Sequence, residues 1–243
     1  MVAVMAVGTL SLSSSASAAF PNFSGCPRSQ SIYCLDIQST TGSMTIKGFT
    51  VPLGASIEIR GGIGDDGAGG ARFVPPSGTN GFFAKPVEVP GGILGIDLPI
   101  SLNDVEATAQ LAGPASSLRV DPTTLTVRMP LKLTLSNPLI GPACRIGTDS
   151  DPAWVTLIVG STAPPPPNRS ISGVVGTDSS PAPGTEVLSG NRNVDNSFSI
   201  PGASLCGLGL GLFNTIIDAK LKLPSSGGNN TLIVNNNLAL QVA

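Results

Sequence analysis

Leu125, Val127, Met129, Leu131, Leu133 and Leu135 alternate with Thr126, Arg128, Pro130, Lys132 and Thr134. Successive side chains of an extended strand point to opposite faces, so this run predicts a strand with one buried and one wet face. Pro130 has no N–H to give a ladder, which places the strand at a sheet edge or at a bulge. Shorter alternations recur. Met44 and Ile46 give way to Phe49 and Val51 after a phase change at Gly48, which reads as a bulge. Ile57/Ile59 and Ile96/Leu98/Ile100 follow, then residues 154–159, 170–175, 197–200, 231–234 and 238–242. The 30 glycines and 22 prolines break these runs into short segments. The pattern predicts an all-β chain, an antiparallel β-sandwich or Greek-key barrel, rather than a parallel α/β sheet.

One short C-terminal helix is expected. Leu212, Phe213, Ile216 and Ile217 fall on one helical face. Asn214, Asp218 and Lys222 fall on the other, with Asp218 and Lys222 spaced as an i,i+4 pair, and Pro224 stops the helix.

Aromatic residues make up only 4 % of the chain, so the core must be aliphatic, and Trp154 is expected inside it. Charged residues are 12 % and the net charge is −2, with no Lys/Arg cluster. Nothing here suits nucleic acid or anionic lipid. Histidine is absent, which removes Ser-His-Asp chemistry and the commonest general base and metal ligand. No catalytic residue, metal site or cofactor site is assigned. Gly62-Ile63-Gly64-Asp65-Asp66-Gly67 has dinucleotide-motif spacing, but Ala68-Gly69-Gly70 cannot open the helix that would receive a pyrophosphate. A flexible hairpin tip is expected there instead. Asp65, Asp66, Asp149 and Asp151 are read as turn caps rather than calcium ligands.

Residues 1–19 read as an export signal. Residues 1–12 are apolar apart from Gly8, Thr9 and Ser11, and Ser13 to Ala19 are small, offering Ala16-Ser17-Ala18 or Ser17-Ala18-Ala19 as a cleavage site. The first basic residue is Arg28, so the usual positive n-region is missing and the true start is expected upstream. Residues 20–243 are then one disulfide-bonded, β-rich domain with no membrane span, opening on a polar segment at residues 20–42. Cys26, Cys34, Cys144 and Cys206 fit two disulfides in an oxidising compartment. Of three connectivities, Cys26–Cys34 with Cys144–Cys206 is favoured. Ala163-Pro164-Pro165-Pro166-Pro167-Asn168 reads as an ordered crossover between sheets rather than a domain linker or a proline-rich ligand.

The stretch from Asn137-Pro138-Leu139-Ile140-Gly141-Pro142-Ala143-Cys144 through residues 145–148, 154–162 and Pro164 to Arg169 resembles secreted proteins of actinobacteria that have no known activity. The Cys26 to Cys34 segment and Val51-Pro52-Leu53-Gly54 are similar too. The resemblance implies export and two disulfides, and carries no catalytic residue.

The expected role is that of a secreted, non-catalytic extracellular or cell-surface protein, with a cell-envelope component or an apolar ligand as partner. A carrier of a lipid-like ligand would show a dry pocket of several hundred Å³ between its sheets. A carboxylate enzyme would show two acidic side chains converging in a cleft, one with a raised pKa.

Overall fold

The computed structural model describes residues 20–68, 70–92 and 103–243. In chain order the strands are β1 (Tyr33–Ile46), β2 (Phe49–Pro52), β3 (Ile57–Asp65), β4 (Ala71–Val74), β5 (Phe82–Ala84), β6 (Val87–Glu88), β7 (Glu106–Leu111), β8 (Arg119–Asp121), β9 (Thr126–Ser136), β10 (Arg145–Ile146), β11 (Ala153–Leu157), β12 (Thr177–Ala182), β13 (Thr185–Asp195), β14 (Ala203–Ser204) and β15 (Asn230–Val242). The helix α1 spans Asn214–Leu221. One sheet runs β12-β13-β15-β1-β3-β4, with β2 on β1 and β5 on β3. The other runs β14-β10-β9-β7-β6, with β8 and β11 also on β9. The inner faces share one aliphatic core that includes Leu35, Ile59 and Leu232 from the first sheet and Val127, Met129 and Leu135 from the second. The chain is thus an all-β antiparallel sandwich with one short helix near its C-terminus, as the alternation predicts.

The strand built on the longest alternation, β9, is central rather than an edge, and it carries no register shift at Pro130. On one side β8 pairs with residues 126–128 and β7 with residues 131–136. Pro130 falls in the gap between those two partners, and its carbonyl accepts Ala112 N at 2.9 Å. A missing N–H therefore leaves no ladder position empty.

Other boundaries moved for physical reasons. Lys47 (φ 44°) and Gly48 (φ 86°) form the two-residue turn of a hairpin in which Ile46 faces Phe49, so the phase change at Gly48 is a turn and not a bulge. Of the polar segment expected at residues 20–42, residues 33–42 form the first part of β1, paired to β15 from Tyr33 onward. Residues 231–234 and 238–242 belong to the single strand β15, which runs through Asn235, Asn236 and Asn237. Residues 170–175 and 197–200 make only isolated bridges. The alternation at Ile96, Leu98 and Ile100 and the leader at residues 1–19 lie outside the described residues.

Gly61 to Gly64 lie in β3 rather than at a flexible tip, and all four are buried. A Cβ on Gly62 would sit 1.9 Å from Ser31 Oγ, and one on Gly64 would sit 2.5 Å from Gln30 O. The glycines let the segment before β1 lie directly on the strand. The proline-rich residues 163–168 carry the chain from β11 in one sheet to β12 in the other. Asn168 pins them, its Nδ2 donating to Asn196 O and Asn230 O, both at 2.8 Å.

In α1 the buried residues are Ile217 and Leu221, while Leu212 and Ile216 are 65 % and 52 % exposed. Asp218 and Lys222 do not pair. Asp218 Oδ1 accepts Ala203 N at 2.7 Å, and Lys222 Nζ donates to Lys47 O at 2.9 Å. Trp154 is also outside the core, 44 % exposed, with the Arg128 guanidinium stacked 4.7 Å over its ring. Its position on β11 alternates with Val155, which takes the inward side and is fully buried.

Candidate functional site

Between the sheets lies a cavity of about 90 Å³. Its walls are aliphatic: Ile37, Met44 and Val234 from one sheet face Ala109, Met129 and Leu133 from the other. Several wall residues, among them Met44, Ile57, Ala109 and Leu133, keep partial solvent contact although they sit on inward faces. A closed core has few voids larger than a water molecule, so this slot exceeds ordinary packing defects. It falls below the several hundred Å³ expected of a preformed lipid compartment, and at its present width holds about three water-sized units. A shallower groove of about 670 Å³ beside Tyr33, Pro181 and Glu186 is open and mixed in character.

One polar row crosses the aliphatic floor. Asn191, Asn236 and Ser39 are register partners on β13, β15 and β1. The row sits where both strand pairs shift register, between Leu188 and Asn191 and between Ser39 and Thr41. Asn236 Nδ2 donates to Asn193 Oδ1 at 2.8 Å, and Asn193 Nδ2 donates to Leu125 O at 3.0 Å. Ser39 Oγ accepts Ile57 N at 2.9 Å and donates to Gly54 O at 3.3 Å. Among the described residues no donor reaches Asn236 Oδ1, which leaves an acceptor on the cavity wall. At the mouth stands Lys85, exposed and shared with a small groove that includes Gln38, Ser56 and Glu58.

Two carboxylates do approach each other. Gln38 Nε2 lies 3.1 Å from Asp36 Oδ2 and 3.5 Å from Glu58 Oε1. Burial pushes the Asp36 carboxyl up to about 6, and Glu58 adds to that, while Asn22 N–H, the Arg60 charge and Gln38 oppose it. Asp36 is fully buried on the outer side of β1, under the segment that carries Asn22, whose N–H it accepts at 2.7 Å. Among the described residues Asp36 Oδ1 has no hydrogen-bond partner. Glu58 lies 2.7 Å from Arg60 Nε, in a geometry that is an ion pair without an aligned hydrogen bond. Arg60 in turn stacks 4.6 Å over Phe83. The pair matches the raised pKa of an acid–base site but not its cleft, because Asp36 is sealed from any substrate.

The remaining candidate residues are structural. Asp65 Oδ1 accepts Gly67 N, and Asp66 Oδ1 accepts Ala68 N and Gly70 N, which holds the Asp66 carboxyl below its usual range. Asp149 Oδ1 accepts Lys132 Nζ at 2.7 Å and Gly113 N at 2.9 Å, and these contacts lower its pKa likewise. Asp151 closes the same turn through its backbone. Cys26 is bonded to Cys34 and Cys144 to Cys206. Among the described residues no group of three or more Cys, Asp or Glu is placed to hold a metal ion, and no helix is long and apolar enough to cross a membrane. The polar row is hidden in the sequence because Asn235-Asn236-Asn237 splits the apolar alternation into the segments 231–234 and 238–242. Its signal was the alternation Leu232, Val234, Asn236, Leu238, Leu240, in which Asn236 holds an inward position.

No family model, no curated protein and no solved structure matches this chain.

Proposed function

We propose that this protein works outside the reducing cytosol as a non-catalytic binder of an apolar chain, held between its two sheets. The aliphatic slot with its partly solvated walls carries this reading. The acceptor at Asn236 Oδ1 and the ammonium of Lys85 at the mouth suit a ligand with a polar or acidic head. At about 90 Å³ the slot must widen by sheet separation to admit more than a few carbons. Two disulfides support placement outside the cytosol, where such bonds persist. The apolar, small-residue leader and the resemblance to secreted actinobacterial proteins agree with that placement.

Native mass spectrometry of the protein from its own host, joined to titration with a fluorescent fatty acid, tests the reading. The expected result is an adduct of a few hundred daltons, released by organic solvent, and saturable probe binding. Ala109→Leu fills the slot, so it should abolish probe binding while stability is kept or rises by about 1 kcal/mol. Absence of both adduct and probe binding, or probe binding unchanged by Ala109→Leu, overturns it.

A further inference from the structure

Leu139, Leu205, Leu208, Leu210, Leu212 and Ile216 are all exposed. Leu208, Leu210 and Leu212 are 78 %, 75 % and 65 % exposed and alternate with Gly207, Gly209 and Gly211. Their loop is anchored rather than trailing. The Cys144–Cys206 bond ties its base, Gly207 N donates to Ile140 O at 2.7 Å, and Phe213 N donates to Cys206 O at 3.0 Å. Residues 203–217 contain no ionisable side chain. Asp218, the first one beyond, uses Oδ1 to accept Ala203 N. Leu205 (φ 57°) and Leu208 (φ 52°) hold left-handed backbone, which disfavours leucine. Neither the local backbone nor contact with water favours leucine at these two positions.

We infer that this leucine loop inserts into a lipid surface. Its leucines project singly from glycine-spaced positions, a shape that a fluid layer covers more readily than a flat folded face does. The exposed apolar area is on the order of 500 Å², below the roughly 800 Å² that each partner of a stable complex contributes, so a second copy is the weaker occupant. An uncharged loop leaves no ion stranded in hydrocarbon. Asp104 stands at the same corner, its carbonyl accepting Asn137 Nδ2 while Asn137 Oδ1 accepts Leu139 N. Arg145, in register with Ser204, brings a positive charge to the base of the loop, so both signs border it and a zwitterionic surface is the expected target rather than an anionic one. The inference stands independently of what the slot between the sheets holds.

Co-sedimentation of the full chain with phosphatidylcholine vesicles tests it, wild type against Leu208→Asn/Leu210→Ser. Both proteins carry the same residues 1–19, so any difference reports the loop. Each leucine is expected to contribute about tenfold, so the double variant should lose about 100-fold in partitioning. Its thermal midpoint should be no lower than that of the wild type, since both replaced leucines are exposed. Equal partitioning of the two proteins, or no partitioning of the wild type, overturns the inference. So does a lipid-free wild-type dimer that the double substitution splits into monomers, since the loop would then be a contact between copies.

Discussion

The two disulfides fasten two loops that treat water in opposite ways. Cys26–Cys34 holds the segment before β1 down on the outer face of its sheet, where it buries the carboxyl of Asp36. Cys144–Cys206 holds the loop before α1, where leucines remain in solvent. One loop hides a charge-bearing group at a cost, and the other displays apolar groups at a cost. In both, a covalent tie maintains an arrangement that transfer free energy alone disfavours. The contrast separates staples that complete a core from staples that present a surface.

The largest expected effect comes from cutting each staple. In the chain-entropy account the Cys144–Cys206 bond, with a sequence separation of 62, contributes about 4 kcal/mol, and Cys26–Cys34, with a separation of 8, about 2.5 kcal/mol. Paired Cys→Ala variants measured by denaturant unfolding should show that order. Reversal would mean that the short clasp, not the long bridge, holds the sandwich closed.

Next is the buried carboxyl. The folded pKa of Asp36 is about 6 against an ordinary 3.8, so the folded protein holds this proton more tightly than the unfolded chain does. Its contribution to stability is fully present below pH 3.8 and is lost as pH rises through 6. The loss amounts to about 2 kcal/mol once water around the partly exposed Glu58–Arg60 pair is allowed for. Asp36→Asn should therefore flatten this part of the pH profile and be more stable than wild type at pH 7.5. Equal stability at pH 7.5 would mean that the clasp opens and hydrates Asp36. Gly62→Ala approaches the same clasp from below. Its new Cβ meets Ser31 Oγ and Cβ at 1.9 and 2.7 Å, and a cost of about 2 kcal/mol is expected, read as a lowered denaturant midpoint. An unchanged midpoint would show that the clasp rests loosely on β3.

The sequence revealed the sandwich because its inward faces obey strict alternation, and β9 and the aliphatic core follow from that alone. It did not reveal β13, whose inward positions include Asn191, Asn193 and Asp195. Those side chains are buried because partners exist across strands and turns, such as Asn236 for Asn193 and Thr156 N for Asp195 Oδ2 at 2.6 Å. Such partnerships are long-range, and a local pattern cannot register them. The same holds for Pro130, tolerated in a central strand only because β7 and β8 leave a gap opposite it. In the leucine loop the local pattern shows only glycines alternating with leucines over residues 207–212. That its leucines face outward depends on the Ile140 and Cys144 anchors, 62 or more residues earlier.

The smallest expected effect bears most directly on the contrast between the two loops. Leu208 occupies left-handed backbone with its side chain 78 % exposed, so folding gains little from its burial and loses through its backbone. Asparagine is the residue other than glycine that best accepts this conformation. Leu208→Asn should therefore raise stability in lipid-free buffer by about 0.5 kcal/mol, read as a small upward shift of the thermal midpoint. The gain from Asp36→Asn should grow between pH 3.8 and 6 and level off above that, whereas Leu208→Asn should give the same gain at every pH, since residues 203–217 contain no ionisable side chain. A fall in stability would show that Leu208 packs against the Leu139–Gly141 turn in solution, and the displayed loop would then be a second closed clasp.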